Sequence, residues 1–546
     1  MINNKPMLNA YPDSLGGSLS DIIDFLKNEN LQDAFSSFYI LPSVFNTDLD
    51  RGFSVIDYNL NEMMATEDDL EQIKNLGIDL KLDFILNHTS VLSPQFQDLV
   101  KNGENSKYSD FFINWNKFWE GHGQMTSEGY IEPEPHLIKD MFFRKAGLPI
   151  LMVAMPNGKK VPYWNTFYQE VSYSKISTQQ LVKNLDIQYG VAKYLSSFVN
   201  DQLEKGVTPE EINFGRFEKY KSDTINLLEC NYMGQMDVNI KSPLVWEFYD
   251  DTLQKLSSYG SKIVRLDAFA YAPKEVGAKN FLNDEGTWDL LQKVQTLADK
   301  YNLLLLPEIH STYEEKIHEL LSEKGYMTYD FFLPGLIIDT IENNDGTNLL
   351  RWANEIVEKD LKVVNMLGCH DGIPLLDLKG MLDEQKIQQL IDIVVNRGGY
   401  VKNLHGQEGM YYQVNATYYS ALGEDDKKML LARALQLFMP AKPQIWYLDL
   451  FCGKNDYDAV KLAGEGGHKE INRTNLSVDY IKQSLENPVV KEQLELIKFR
   501  NTNEEFFAGA TFSSKSDGEN VELSWSNNEK IITLKANLTT YQYKII

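Results

Sequence analysis

The predicted fold is α/β: a (β/α)8 TIM barrel with an inserted subdomain after the third strand and a small C-terminal antiparallel β domain. Three observations predict it. Eight short apolar runs occur, most followed by an amphipathic stretch; one interval is far too long for a simple crossover; and the pattern near the end changes to short alternating pieces.

The first strand is read at "MLNAY" (7–11), followed by the helical pattern "LSDIIDFLKNE". The second, "FYILPS" (38–43), leads through a loop to "TEDDLEQIKNLG", whose Thr-x-x-Asp opening reads as a capping box. The third is "LKLDFILNH" (80–88), and about 170 residues separate it from the fourth, "SKIVRLDAF" (261–269). The remaining four are "LLLLPEIH" (303–310), "YMTYDFFLP" (326–334), "KVVNMLGCHD" (362–371) and "PQIWYLDL" (443–450). The expected division is a barrel from 1–88 and 241–481, an insertion from 89–240 that is largely helical around 171–206, and a β domain from 482–546.

Composition narrows the function. A net charge of −25 argues against nucleic acid, whose binding needs clustered Lys and Arg, and against adhesion to anionic membranes. The N-terminus shows no apolar signal core, no run approaches the roughly 20 apolar residues of a membrane span, and the three cysteines suit a reducing cytoplasm. The expectation is an acidic cytoplasmic protein.

In a barrel of this kind the functional groups gather at the C-terminal ends of the strands. The third strand ends in Asn87-His88, the fourth in Arg265-x-Asp267, the fifth in Glu308-x-His310 and the seventh in His370-Asp371. One such ending alone reads as a helix cap or a loop salt bridge; four on one face read as a site. Arg265 and Asp267, two apart, share a strand face. A buried ion pair is a poor source of stability, so the pair points to reactivity, with Arg265 keeping Asp267 ionised. Three carboxylates in one pocket push their pKa values apart, which suits retaining glycoside chemistry with a nucleophile and an acid/base.

These residues resemble the α-amylase superfamily (glycoside hydrolase family thirteen), and within it the sucrose phosphorylase group. The ordered motifs "DFILNH", "VRLDAFAYA", "LPEIH" and "HDGI" carry the first resemblance. The second rests on "DRGFSVIDY" (50–58), "YYQVNATYYSALG" (411–423), "GKND" (453–456) and "EINR" (470–473). The resemblance implies Asp267 as nucleophile of a covalent glucosyl-enzyme, Glu308 as general acid/base and Asp371 as stabiliser of the distorted ring. It further implies Asp50, His88, Arg265 and His370 on the glucosyl hydroxyls, Phe53 and Tyr271 as walls, and Tyr412, Gln413 and Arg473 near the acceptor or phosphate. Arg473, His468, Lys469 and Arg144-Lys145 offer cations for phosphate, with Lys469 and Lys145 read as solvated surface lysines.

The acceptor side departs from the group's pattern: Met410 stands where an aspartate is usual, Phe142 where a tyrosine is, and 395–410 is unlike the usual loop. Relatives in the group act on sucrose, sucrose 6′-phosphate, glucosylglycerol or glucosylglycerate. The expected activity is therefore reversible phosphorolysis of sucrose or a related α-glucoside to α-glucose 1-phosphate, through a hexosyltransferase-type phosphorylase. The alternatives are hydrolysis or transglucosylation without phosphate, or a non-catalytic binding relative. A metal hydrolase built on His88, His310 and His370 is disfavoured because Arg265 would repel the ion, and Cys369 reads as a core filler. No cofactor or metal is expected; the partners are the glucoside and inorganic phosphate, and a homodimer follows from the resemblance.

Overall fold

The computed structural model describes residues 3–144, 147–403, 411–464, 466–528 and 530–546. Two compact units are resolved: 1–88, 135–146 and 238–546 in one, and 89–134 with 147–237 in the other.

The larger unit is built on eight parallel strands: β1 (Met7–Ala10), β2 (Ser37–Ile40), β3 (Asp79–Ile85), β4 (Ser261–Asp267), β5 (Leu304–Pro307), β6 (Thr328–Asp330), β7 (Val363–Asn365) and β8 (Lys442–Trp446). Their order is β5-β4-β3-β2-β1-β8-β7-β6, so β8 returns to β1 and the sheet curls into a nearly closed barrel. Each of the eight apolar runs supplies one strand. Helices such as Leu19–Leu26, Glu67–Asn75, Pro243–Ser258 and Asp284–Lys300 follow them in sequence. The Thr66–Asp69 capping box forms as expected, satisfying amides that the first helical turn leaves open.

Three readings change. The seventh strand is short, ending at Asn365, so His370 and Asp371 stand on an irregular loop rather than a strand end. Gly368 lies on that loop: its N–H donates to Asp449 Oδ2 at 2.7 Å, and an added Cβ would meet Asp449 Oδ1 at 2.9 Å. Residues 135–146, read as insertion, belong to the larger unit, where Asn280 clamps the Phe142 backbone from both sides at 2.7 and 2.8 Å. The stretch from 482 is not all β. Asn487 caps a helix from Pro488 to Thr502, with proline at its first turn where a missing N–H costs nothing, and the antiparallel sheet starts only at Thr511. That sheet orders β9 (Thr511–Ser516), β10 (Asn520–Ser526), β11 (Ile531–Asn537) and β12 (Gln542–Ile545) side by side. Trp525 anchors it by donating to the Phe438 carbonyl at 3.0 Å.

The smaller unit contains the hairpins Gly123–Met125 with Ile131–Pro133 and Ile150–Ala154 with Lys160–Trp164, and the antiparallel pair Gln169–Tyr173 with Cys230–Asp237. Its helices Thr178–Leu185 and Tyr189–Glu204 close on their own core of Ile176, Leu181, Leu195, Val199, Ile212 and Phe214. Among the described residues no helix is long and apolar enough to cross a membrane.

Candidate active site

Strands β3 and β4 run in register, with Asp83 opposite Arg265. Side chains two apart share a face, so Arg265 and Asp267 both point inward with Asp83. Arg265 is buried. Its Nη1 donates to Asp83 Oδ1 at 2.6 Å and to Asp267 Oδ1 at 2.8 Å, while Nη2 lies 3.2 Å from Glu308 Oε1. From β2, the Tyr39 hydroxyl donates to Asp83 Oδ2 at 2.8 Å and holds that carboxylate in place. One guanidinium therefore serves three carboxylates.

The chain turns sharply around these groups. Ala268, directly after Asp267, has φ 52°, a strained left-handed conformation for a residue with a side chain. Beyond Pro307, the Glu308 N–H donates to the Leu266 carbonyl at 3.2 Å, prolonging the β4–β5 pairing by one residue and aiming the carboxylate at Arg265. His310 then places Nε2 3.4 Å from Glu308 Oε1 and Nδ1 3.0 Å from Asp377 Oδ2, its ring stacked on Phe331 at 3.9 Å.

Asp371 is gripped from two sides, by His370 Nε2 at 3.1 Å and Lys469 Nζ at 2.5 Å. Lys469 is thus a site residue, contrary to the surface reading: the helical turn Gly467–Asn472 carries it to the pocket, four positions before Arg473. Arg473 is buried, donating from Nε to the His370 carbonyl at 2.9 Å and reaching Asp50 Oδ1 at 3.3 Å. Asp50 and Arg51 both have left-handed φ, 48° and 49°. Gly52 follows at φ 119°, where a Cβ would strike the Ser43 backbone nitrogen at 2.2 Å. Arg51 pins this turn by donating to the Arg473 carbonyl at 2.6 Å and to Asn475 Oδ1 at 2.8 Å. Phe53 emerges from it, stacked on His370 at 4.9 Å and 12°, with its carbonyl 2.9 Å from His88 Nε2.

Asp50, Phe53, His88, Arg265, Asp267, Glu308, His370, Asp371 and Arg473 thus form one connected cluster. Tyr271 lies beside it; its hydroxyl accepts from Arg144 at 2.9 Å, and its carbonyl accepts from Lys274, which also reaches Asn87 at 3.0 Å. Gln413 is buried on Tyr411–Asn415, the strand whose Asn415 donates to the Asp371 carbonyl at 2.9 Å. Tyr412 belongs to the same strand, but its side chain lies outside the described residues, as do Lys145, Met410 and the loop from 404.

The electrostatics correct one expectation. Burial, with the neighbouring charges of Glu308, Asp83 and Asp371, pushes the Asp267 carboxyl up to about 8 against the pull of Arg265. Burial also raises Glu308, but Arg265 and His310 outweigh it and bring it down to about 2. Burial lowers His310, yet Asp377 and Glu308 carry it up to about 10, leaving it cationic at neutral pH. Asp371 is held well below the usual range: burial opposes this, and His370, Lys469 and Arg473 override it. Burial keeps His370 low. The Asp267–Glu308 pair thus carries one proton at neutral pH, shared within a coupled site.

Ligand atoms of Glu308, His310 and Asp371 lie within 4.8 Å of one another, as a metal site would require. Arg265 and Lys469 already neutralise those carboxylates, and a metal ion would have to displace both. Asp83, Tyr39, Lys469 and Asp377 were not read as site residues. The signal for Asp83 was present: an aspartate inside the apolar run "LKLDFIL" needs a buried partner.

No protein-family model matches the chain. It is 47% identical to a sucrose 6(F)-phosphate phosphorylase of Ilumatobacter coccineus, over 99% of this chain and 95% of that protein. It is 32% identical to the sucrose 6(F)-phosphate phosphorylase of Thermoanaerobacterium thermosaccharolyticum, over 100% and 97%. A crystal structure of sucrose 6F-phosphate phosphorylase from Thermoanaerobacter thermosaccharolyticum superposes with a TM-score of 0.81 at 32% identity, covering 100% of this chain and 95% of that one.

Proposed function

The chain belongs to the sucrose phosphorylase group of the α-amylase superfamily, and from that premise we propose that its donor is sucrose 6F-phosphate. Inorganic phosphate splits it into α-glucose 1-phosphate and fructose 6-phosphate. The observation that carries this donor is the 47% likeness to a sucrose 6(F)-phosphate phosphorylase over nearly the whole of both chains.

The site supports the chemistry in two steps. Asp267, as carboxylate, attacks C1 of the glucosyl unit while Glu308 gives a proton to the departing fructosyl oxygen. The free site holds its shared proton toward Asp267, so donor binding must pass that proton to Glu308. The count of protons does not change, and the transfer is a tautomerisation between neighbours bridged by Arg265. Phosphate then attacks C1 from the face the fructosyl group left, and the configuration at C1 is retained. Asp371, kept ionised by Lys469 and His370, and the ring of Phe53 face the cationic transition state. Asp50, His88, Arg265 and His370 hold the glucosyl hydroxyls, Tyr271 closes one wall, and Arg473 lies toward the acceptor or phosphate. Tyr412 and Gln413 belong to the acceptor side. There Arg144, bonded to the Tyr271 hydroxyl, supplies a cation for the fructosyl 6-phosphate.

The test is release of α-glucose 1-phosphate from sucrose and from sucrose 6F-phosphate, with and without inorganic phosphate. The expected result is a kcat/KM at least tenfold higher for the phosphorylated donor, dependence on phosphate, and loss of product in Asp267→Ala. Arg144→Gln is expected to raise KM for the phosphorylated donor and leave sucrose unchanged. Equal use of both donors would remove the assignment of sucrose 6F-phosphate.

A further inference from the structure

A phosphorylase must solve a problem that its fold shares with hydrolases: water, at about 55 M, competes with phosphate for the same glucosyl-enzyme. The two acceptors differ in one chemical respect. The oxygen with which HPO4²⁻ attacks carries no proton. It bonds to C1, the C1–O bond to Asp267 breaks with its electron pair returning to the carboxylate, and no proton has to leave. Water brings two protons, and one must pass to a base for glucose to form. A strong base at Glu308 therefore helps water, and a weak one leaves phosphate nearly untouched.

The surroundings of Glu308 weaken it as a base. His310 Nε2 and Arg265 Nη2 both address the same oxygen, Oε1, at 3.4 and 3.2 Å. His310 is in turn fixed by Asp377 through Nδ1 at 3.0 Å and by the Phe331 ring on its face. The charged groups facing this ensemble are Glu308, Asp377 and Asp371, with Arg265 beyond Glu308 and Glu315 acting on Asp377. An acid/base residue needs one partner to orient it. Here a buried carboxylate, Asp377, is spent on keeping a second cation in place.

We propose that the Asp377–His310 pair selects phosphate over water as glucosyl acceptor, by holding a positive charge against Glu308 and keeping it a weak base. This rests on the assignment of Glu308 as the acid/base of the reaction. His310 and Asp377 act through Glu308 and are positioning residues. The cationic state of His310, with its proton held up to about 10, agrees with the geometry.

The experiment compares free glucose released without phosphate against α-glucose 1-phosphate formed with it, in the wild type, Asp377→Asn, Asp377→Glu and His310→Gln. The burst of fructose 6-phosphate counts folded, active sites in each. The expected result is a rise of at least tenfold in the hydrolysis-to-phosphorolysis ratio for Asp377→Asn and His310→Gln, and recovery of the wild-type ratio in Asp377→Glu. The acid limb of the hydrolysis pH profile should move to higher pH in the first two. An unchanged ratio and limb per active site would overturn the proposal, and a rise confined to the KM for phosphate would do the same, showing an acceptor contact only. Glu308→Gln separates the underlying assignment. It should lose the fructosyl donor yet keep α-glucosyl fluoride with phosphate, since fluoride leaves without an acid. If it keeps both or loses both, Glu308 is not the acid/base, and the fault lies there rather than with Asp377 and His310.

Discussion

Two arginines of this molecule are equally buried and differently employed. Arg265, in the barrel mouth, binds Asp83, Asp267 and Glu308. Arg433, on the helix Asp426–Phe438 outside the barrel, donates from Nε to Gln493 Oε1 at 3.0 Å and from Nη1 to Gln436. Burial lowers both. At Arg433 it prevails, bringing the group down to about 10, whereas at Arg265 Tyr39, Glu308 and the two aspartates reverse it and hold the charge firmly. Arg433 is held by two neutral amides and the charge of nearby Asp449, and its Nη2 has no hydrogen-bond partner among the described residues, which is all that packing requires of it. Three carboxylates around one cation exceed what packing requires, and the excess is what a reaction uses.

The largest break of this contrast is Arg265→Met. It leaves three inward carboxylates without their cation, so about 3–5 kcal/mol of stability and at least 10³-fold in kcat/KM should go, measured by thermal unfolding and by product formation. Next, Lys469→Met leaves Asp371 to His370 and the charge of Arg473; a fall in kcat of about 10–100-fold with an unchanged melting temperature is expected. Arg433→Met leaves Gln436 and Gln493 short of a partner, which costs about 1–3 kcal/mol, while kcat/KM should stay within twofold. If activity fell with Arg433 as it does with Arg265, the distinction between the two arginines would collapse.

The last effect is one of pH. The folded chain keeps on Asp267, up to about 8, a proton that the unfolded chain gives up near 3.9. Stability from this group therefore falls as pH rises between those values. Asp267→Asn cannot lose a proton, so its melting temperature should exceed that of the wild type by a margin that widens from pH 5 to pH 8. A margin independent of pH would mean that Asp267 is already ionised throughout.

Much of this was legible because the barrel writes its strands as apolar runs and its chemistry at their ends: Asp267 and Glu308 are each where a run stops. Asp83 was harder to see, since a buried aspartate within a run shows its purpose only when the register sets it opposite Arg265. Lys469 was misread because a lysine in "GHKEINR" looks solvated, and nothing local shows that Gly466 at φ 85° and the turn after it bring the lysine to Asp371. His310 was read as a strand ending without a role, because Asp377, which holds it, lies 67 residues away. The helix Pro488–Thr502 went unread beside the stronger alternation after 510.

The strand order has two ends, β5 and β6, and one side of the site is built across them. Glu308 and His310 follow β5, Phe331 follows β6, and the stacking of His310 on Phe331 at 3.9 Å joins the two margins with side chains. A seam held by rings rather than by a ladder is where solvent deuterium should enter the sheet first. Amides of β5 and β6 should exchange before those of β1 and β2, and a ligand that clasps Glu308 should slow them, so that occupancy of the pocket can be followed from the backbone without watching the reaction at all.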